Sequence, residues 1–404
     1  GNGCPPNDPE KWAELVRVSV EHWEQRYGVD EVRHWYFEVW NEPNLNGFWT
    51  GTQQQYYDFY KITALTIKKI DPQLKVGGPA TSNYLLDEEV LKSDQASGKP
   101  FDPITIPWKP IWIESFLAWC KQNNLPVDFV STHPYPSWFD IPAGTPQAGH
   151  YYRAATAIHD DLATLRKIID ASPYPHAEIH LTEWNSSWEI FDYTHDALSA
   201  ATFIAKSNLE SIGLVDSLSY WTFTDVFEEN RKTELPFHGC FGMINYQQIQ
   251  KPVFQAYRMM NQLGDRMLAH TSGAIVSRDS ATGAVAAMAY NYPPERRDTV
   301  PVLRTVEEAN AFDQTGSART LNFTLTGLKP GADFVVETLD RTHGNPLLAW
   351  DQMGRPDALS RAQTAALRAL ALGTKKEIVR ADASGTLHVE RSLSPWSLVL
   401  VTQN

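Results

Sequence analysis

Only three of the 404 residues are cysteine, Cys4, Cys120 and Cys240, and no spacing among them suits a zinc site or a disulfide framework. Cys120 lies in an apolar helical pattern and reads as a buried free thiol. Basic residues are also in short supply. Lys and Arg number 35 against 48 Asp and Glu, a net charge of −13, which disfavours nucleic acid and anionic membranes as partners. No run of about 20 apolar residues exists, so no segment is long enough to span a bilayer. Internal repeats and low-complexity tracts are absent as well. The opening residues, Gly1-Asn-Gly-Cys-Pro-Pro-Asn-Asp8, are loop chemistry and not a signal peptide. The compartment stays open, with cytoplasm or periplasm favoured over a membrane.

What the chain has is aromatic weight. Hydrophobic residues make up 42% and aromatics 12%, with 14 Trp. Most of these rings are expected in the core; the remainder suit stacking on sugar faces. The chain is organised around Trp35-Tyr-Phe-Glu-Val-Trp-Asn-Glu-Pro-Asn44, which reads as a buried strand emptying into a polar tip at Glu42. Pro43 has no N–H to continue a central strand. A second stretch, Glu178-Ile-His-Leu-Thr-Glu-Trp-Asn185, puts Glu183 near the end of another short strand. In a parallel barrel, the C-terminal strand ends form the catalytic face. Two carboxylates there suit hydrolysis of a glycosidic bond, one protonating the leaving oxygen and the other attacking the anomeric carbon. Glu38, which shares the parity of Trp40, reads as a structural carboxylate paired inside the barrel.

In chain order, Asp8 with Pro9 and Gly28 bound an amphipathic helix. A second helix runs from Gln53 to Ile70. Lys75–Ala80 is a strand, and 84–110 is long and irregular. Helices are expected over Ile111–Asn123, Tyr151–Ala171, Thr194–Leu214 and Val253–Leu263. Strands are expected over Val127–His133 and Asp216–Phe223. From Arg266 onward short alternating runs separated by Gly and Pro predict antiparallel strands: 274–276, 284–292, 321–325, 334–339, 386–389 and 397–401. A helical interruption covers 357–372. The expected fold class is therefore α/β. It comprises a (β/α)8 TIM barrel over residues 1–265 and a β-sandwich-like accessory domain over 266–404.

Three motifs in order carry a family resemblance: Phe37-Glu-Val-Trp-Asn-Glu-Pro-Asn44 with Phe48-Trp49, then Leu181-Thr-Glu-Trp-Asn185, then Tyr220-Trp-Thr-Phe-Thr-Asp-Val-Phe-Glu-Glu229. Together they resemble glycoside hydrolase family 39, and within it the β-xylosidase branch. The family's acid closes the fourth barrel strand, so Glu42 comes too early. The resemblance thus implies an N-terminally incomplete barrel lacking roughly a hundred residues, scaled from the usual barrel size. It also implies that Asn41 bonds the sugar 2-hydroxyl and that His133 and Tyr135 contact the sugar. Trp221 would be the aromatic platform beneath it, and one of Glu228 and Glu229 would bind its hydroxyls. Trp188 stands where the family usually has Tyr and is expected near the aglycone.

The expected activity is retaining hydrolysis of β-xylosides or xylo-oligosaccharides from the non-reducing end. Glu42 is the general acid/base and Glu183 the nucleophile. A negative Glu183 helps Glu42 hold its proton, and esterification removes that repulsion so that Glu42 can accept a proton from water. No metal or cofactor is expected, because carboxylates supply both acid and nucleophile. The few Lys and Arg around the motifs disfavour an iduronidase-like uronic acid substrate. Another pentosidase activity, arabinosidase-like, stays open, as does a homo-oligomer. The rival reading is a non-catalytic carbohydrate-binding fragment.

Overall fold

The computed structural model describes residues 3–45, 47–82, 112–140, 149–226 and 235–403. The irregular stretch expected over 84–110 lies outside the described residues, as do Glu228 and Glu229. The chain packs as two compact units. Residues 1–151, 158–184 and 213–220 make the first, and 152–157, 185–212 and 221–404 the second.

In the first unit, Asp8 caps α1 (Pro9–Tyr27) by accepting from the backbone N–H of Glu10 and Lys11, and Gly28 ends it at φ +93°. After α2 (Val29–Val32) comes β1 (Tyr36–Glu38), then α3 (Gln53–Ile70), opened by a Thr52–Gln55 capping box. Helix α3 buries Tyr56, Tyr60, Ala64 and Ile67, one stripe at helical spacing. Strand β2 (Lys75–Ser82), helix α4 (Trp112–Gln122) and strand β3 (Phe129–His133) follow. A two-stranded sheet of β4 (Ser137–Asp140) and β5 (Gly149–Tyr152) precedes α5 (Ala157–Ala171). The helix expected from Tyr151 therefore begins later, because residues 149–152 pair as a strand instead. Strands β6 (Glu178–Trp184) and β7 (Ser217–Tyr220) complete a five-stranded parallel sheet in the order β1-β2-β3-β6-β7.

That sheet curls strongly. β1 and β6 are separated in the sheet by two strands, each step being about 4.8 Å. Yet the Thr182 hydroxyl on β6 donates to Glu38 on β1 across 2.7 Å. Lys75 on β2 likewise reaches Glu178 on β6 at 3.0 Å. The sheet is a half-barrel of the TIM-barrel class, with a concave face lined by alternate residues of each strand.

In the second unit the helix expected over 194–214 is split. A 3-10 turn, Tyr193–Asp196, precedes α6 (Leu198–Glu210). Ala197 offers no side-chain cap, and Asp313 supplies it from far along the chain, accepting the N–H groups of Leu198 and Ser199 at 3.0 Å each. Helix α7 (Pro252–Met260) packs on α6. A six-stranded antiparallel sheet then forms from β8 (Arg266–Thr271), β9 (Ala274–Arg278), β10 (Val285–Tyr290), β12 (Asp333–Leu339), β13 (Lys375–Arg380) and β15 (Leu398–Gln403). Its order is β13-β12-β15-β10-β9-β8. A second sheet pairs β11 (Arg319–Leu325) with β14 (Leu387–Leu393), and Leu321, Leu325, Leu387, Val389 and Leu393 share one core with Val285, Phe334, Val336, Val399 and Val401. Helices α8 (Val306–Phe312), α9 (Pro346–Gln352) and α10 (Arg361–Leu372) bury Val306, Leu347, Trp350 and Leu367 with Phe237 and Ile249 in a separate core.

The short runs predicted from Arg266 onward correspond to six of these strands. The two the alternation did not reveal, β8 and β13, are the edges of the six-stranded sheet. Strand β8 is exposed at every position, and β13 reads Lys-Lys-Glu-Ile-Val-Arg. An edge strand carrying charge has no buried face to write an apolar pattern.

Candidate active site

Register on the concave face puts inward residues in layers. At the base, Lys75 bonds Glu178 at 3.0 Å and the Tyr36 hydroxyl at 2.5 Å. Above it the Tyr36, Phe129 and His180 rings meet edge-on, with centroids 4.6 to 5.4 Å apart. Higher still, toward the strands' C-terminal ends, Thr132 of β3 pairs with Leu181 of β6, which sets His133 beside Thr182. His133 Nε2 lies 3.0 Å from the Thr182 hydroxyl.

Glu42 reaches this layer because the chain beyond β1 turns sharply. Trp40 and Glu42 both take left-handed backbone, φ +73° and +45°, which non-glycine residues adopt only where surroundings hold them. Here they do. Val39 N–H donates to Gly77 O at 3.0 Å and Glu42 N–H to Ala80 O at 2.8 Å. The Tyr56 hydroxyl donates to Val39 O, and Trp40 Nε1 to Phe48 O, both at 3.0 Å. Asn44 clamps the end of β2 twice, donating to Ser82 O at 2.7 Å and accepting from Ser82 N–H at 3.0 Å. At Gly77 a Cβ would lie 2.2 Å from Phe129 O, so only glycine lets β2 pass so close to β3. The Glu42 side chain emerges almost fully buried, 8% exposed.

Glu183 arrives by a different device. Between Leu181 and Trp184 the β6–β7 register slips by one residue, a bulge that re-aims the side chains within it. Thr182 and Glu183, consecutive and so of opposite parity, both join the same cluster. Tyr135, two residues beyond His133, donates its hydroxyl to Glu183 in a short hydrogen bond. His133 Nδ1 lies 2.9 Å from Glu42 and 3.7 Å from Glu183. An oxygen of each carboxylate and a ring nitrogen of His133 fall within 4.8 Å of one another.

Burial by itself would lower the His133 pKa. The Glu42 hydrogen bond and the charges of Glu183, Glu42 and Glu38 outweigh it and hold the ring above its ordinary range. Burial pushes the Tyr135 phenol well up, and the Glu183 charge adds to it, so this hydroxyl stays a donor. Glu42, His133 and Glu183 are the one such trio of potential metal donors among the described residues. Hydrogen bonds already span it, from Tyr135 to Glu183 and between His133 and Glu42, which is the geometry of an acid–base cluster.

The structure thus brings four predicted residues together: Glu42, Glu183, His133 and Tyr135. Asn41 precedes Glu42 and is exposed. Trp188 and Trp221 belong to the second unit and are half-buried; there Asn185 Nδ2 donates to the Trp221 carbonyl at 2.6 Å. Glu38 is paired, as its parity suggested, but its partner is Thr182. Sequence reasoning missed Thr182 and Asn44. A threonine in a strand and an asparagine in a turn are each common enough to give no signal of their own.

The family model for glycosyl hydrolases family 39 matches residues 1–388. A β-xylosidase from Geobacillus stearothermophilus is 34% identical over 408 residues, an alignment spanning 99% of this chain and 72% of that protein. A solved GH39 enzyme from Xanthomonas axonopodis pv. citri has TM-score 0.82 at 32% identity, covering 100% of this chain and 74% of the other. A monomeric β-xylosidase from Caulobacter crescentus CB15 has TM-score 0.80 at 30% identity, covering 100% and 76%. The chain spans about three quarters of the length of each. With likeness this extensive in both sequence and fold, the chain belongs to glycosyl hydrolase family 39.

Proposed function

We propose that the chain is a retaining glycoside hydrolase that releases xylose from the non-reducing end of β-xylosides, with Glu42 as general acid/base and Glu183 as nucleophile. One observation carries the mechanism: an oxygen of each carboxylate lies within 4.8 Å of the other. Retaining pairs stand about 5–5.5 Å apart and inverting pairs about 6.5–9.5 Å, the extra room holding a water. The partners argue for the roles. Tyr135 gives Glu183 a hydrogen-bond donor, which favours its anionic, attacking form. His133 gives Glu42 a partner able to share a proton.

Glu42 protonates the glycosidic oxygen as Glu183 attacks the anomeric carbon, so the C–O bond to the leaving group breaks and an ester to Glu183 forms. Water then loses a proton to Glu42, attacks the same carbon and frees Glu183. Asn41, beside the acid, is assigned to the sugar 2-hydroxyl, a contact that strengthens as the ring flattens. The choice of xylose is supported by the relatives named β-xylosidases. The six- and two-stranded sheets of the second unit are read as a sandwich-like accessory layer without chemistry of its own.

The test is hydrolysis of aryl β-xylosides with azide as an external nucleophile. Glu183→Ala is expected to abolish turnover, with azide yielding the α-xylosyl azide. Glu42→Ala is expected to spare the first step on an activated substrate, with azide yielding the β anomer. Rescue of neither variant, or the same anomer from both, overturns the assignment.

A further inference from the structure

Resting on the acid/base role of Glu42, we infer that Glu38 and Thr182 are positioning residues that lock His133 in its Nε2–H form and so keep one proton in the hydrogen bond between His133 and Glu42. Three hydrogen bonds run in series. Thr182 Oγ1 donates to Glu38 Oε1 at 2.7 Å, His133 Nε2 lies 3.0 Å from Thr182 Oγ1, and His133 Nδ1 lies 2.9 Å from Glu42 Oε1. A threonine hydroxyl has a single hydrogen. Spent on the Glu38 carboxylate, that hydrogen leaves Oγ1 with only lone pairs for His133. Nε2 must then be the donor.

The consequence falls on the other ring nitrogen. A hydrogen bond between Nδ1 and Glu42 needs one proton. It sits either on Glu42, with a neutral ring, or on Nδ1, with an imidazolium facing a carboxylate. Both arrangements stock the pair with a transferable proton. The excluded arrangement is a neutral ring donating from Nδ1 to an ionised Glu42, which would leave the acid without its proton. After Glu42 has protonated the leaving oxygen, a bare Nδ1 lone pair faces a carboxylate. That repulsion drives Glu42 to take a proton from the incoming water. The relay thus serves both half-reactions, and the proton lost by Glu42 in the first is regained in the second.

The charged groups facing His133 are Glu42 from the turn after β1, Glu38 from β1 and Glu183 from β6, and Tyr135 is the further titratable neighbour. Their charges favour a proton on the ring against the pull of burial, as the relay requires. Glu38 itself has no task in the two-carboxylate mechanism. It sits in the layer directly beneath the acid, joined to it through two side chains from two other strands.

The experiment pairs a spectrum with a pH profile. Long-range ¹H–¹⁵N spectra of the ¹⁵N-histidine-labelled chain, with His133 assigned by its loss in His133→Asn, should show Nε2 protonated from pH 5 to 8. In Thr182→Val the ring should move its proton to Nδ1, since a buried Nε2–H would have no acceptor; Glu38→Gln should shift it the same way but less, and Thr182→Ser should keep the native form. With phenyl β-xyloside, whose leaving group needs the acid, the basic limb of kcat/KM should fall by about one pH unit in Thr182→Val and return in Thr182→Ser. With dinitrophenyl β-xyloside, which needs little acid help in its first step, kcat/KM, the constant that reports that step, should stay within about twofold of the unmodified value. A neutral His133 ring carrying its one proton on Nδ1 in the unmodified chain overturns the relay. So does a Thr182→Val variant with an unmoved spectrum, or one that loses both substrates equally with an unshifted limb. The spectrum needs no substrate. If the unmodified chain hydrolyses neither xyloside, the glycosidase reading falls alone and the spectrum still decides the tautomer.

Discussion

Each unit buries a pair of carboxylates around one basic side chain, and the two pairs are built for opposite ends. In the first unit His133 stands between Glu42 and Glu183 at 2.9 and 3.7 Å. In the second, Lys251 stands between Asp196 and Asp225 at 2.6 and 3.0 Å, with all three side chains 0% exposed. The lysine has no freedom. Burial pulls its pKa down, but the two aspartates outweigh it and hold it above its ordinary range. Its Nζ also donates to Cys240 O at 2.7 Å, while Gly239 N–H caps Asp196 and Gly242 N–H caps Asp225. Gly242 must be glycine, since a Cβ there would lie 2.2 Å from Asp225 N. Together these contacts lock Lys251 to Asp196, Asp225 and the backbone from Gly239 to Gly242. A histidine ordinarily changes charge far closer to neutrality than a lysine does, and the carboxylates around His133 hold the ring above that ordinary range without fixing it as a permanent cation. Its carboxylates keep some access, 16% of the Glu183 side chain being exposed. A permanent cation makes two acids structural; a titratable one leaves them able to exchange protons.

Four substitutions put that contrast to the test. Glu183→Gln should cut kcat/KM for an aryl β-xyloside by at least about a thousandfold while leaving the melting temperature nearly unchanged; comparable losses in both would make the first cluster structural too. Lys251→Met should do the reverse in kind, destabilising the fold by about 3–5 kcal/mol in denaturant titrations because two buried carboxylates lose their cation. A cost below about 1 kcal/mol would refute the lock.

Asp313 supplies a third case, a buried carboxylate that accepts the backbone N–H groups of Leu198 and Ser199. Burial pushes its pKa from 3.8 up to about 6. A raised folded value means that the folded state binds the proton more tightly. The stabilisation is therefore full below about pH 3.8 and is lost as pH rises through about 6. Asp313→Asn should erase this dependence, so unfolding free energies of the two proteins should diverge by roughly 3 kcal/mol between pH 3 and 7. Parallel curves would mean that Asp313 does not titrate in that window. The smallest effect is expected from Tyr135→Phe, which removes only the donor to Glu183 and should lower kcat about 10- to 100-fold. An unchanged kcat would show that the hydroxyl does not support the nucleophile.

Much of the scaffold could be read before any coordinates. The Asp8, Pro9 and Gly28 signals bound α1, and 53–70 is a helix from end to end, because caps and apolar stripes are local chemistry. Four of the five parallel strands were legible from their β-branched, apolar and aromatic runs, and β2 from Lys75-Val-Gly-Gly-Pro-Ala80, whose glycines permit close backbone approach. What escaped was set by distant chain. Strands β8 and β13 lie at sheet edges without a buried face, and the cap of α6 comes from Asp313, more than a hundred residues away. At the candidate site, Glu42 and Glu183 stood out because each closes an apolar strand with an acid. Thr182 and Asn44 did not, since their meaning lies in who stands opposite.

The order of residues was enough for the five parallel strands, for the apolar stripe of α3 and for the acids that stand at the strand tips. These follow from side-chain period, capping and backbone stereochemistry over a few residues at a time. That Glu38 and Thr182, 144 positions apart, are joined by a hydrogen bond follows from the folded sheet and from nothing local. It alone decided too that a one-residue slip in β6 turns Glu183 toward His133's cluster. Hydrogen bonds act over about 3 Å, and no spacing along a chain can specify a distance that the curl of the sheet creates.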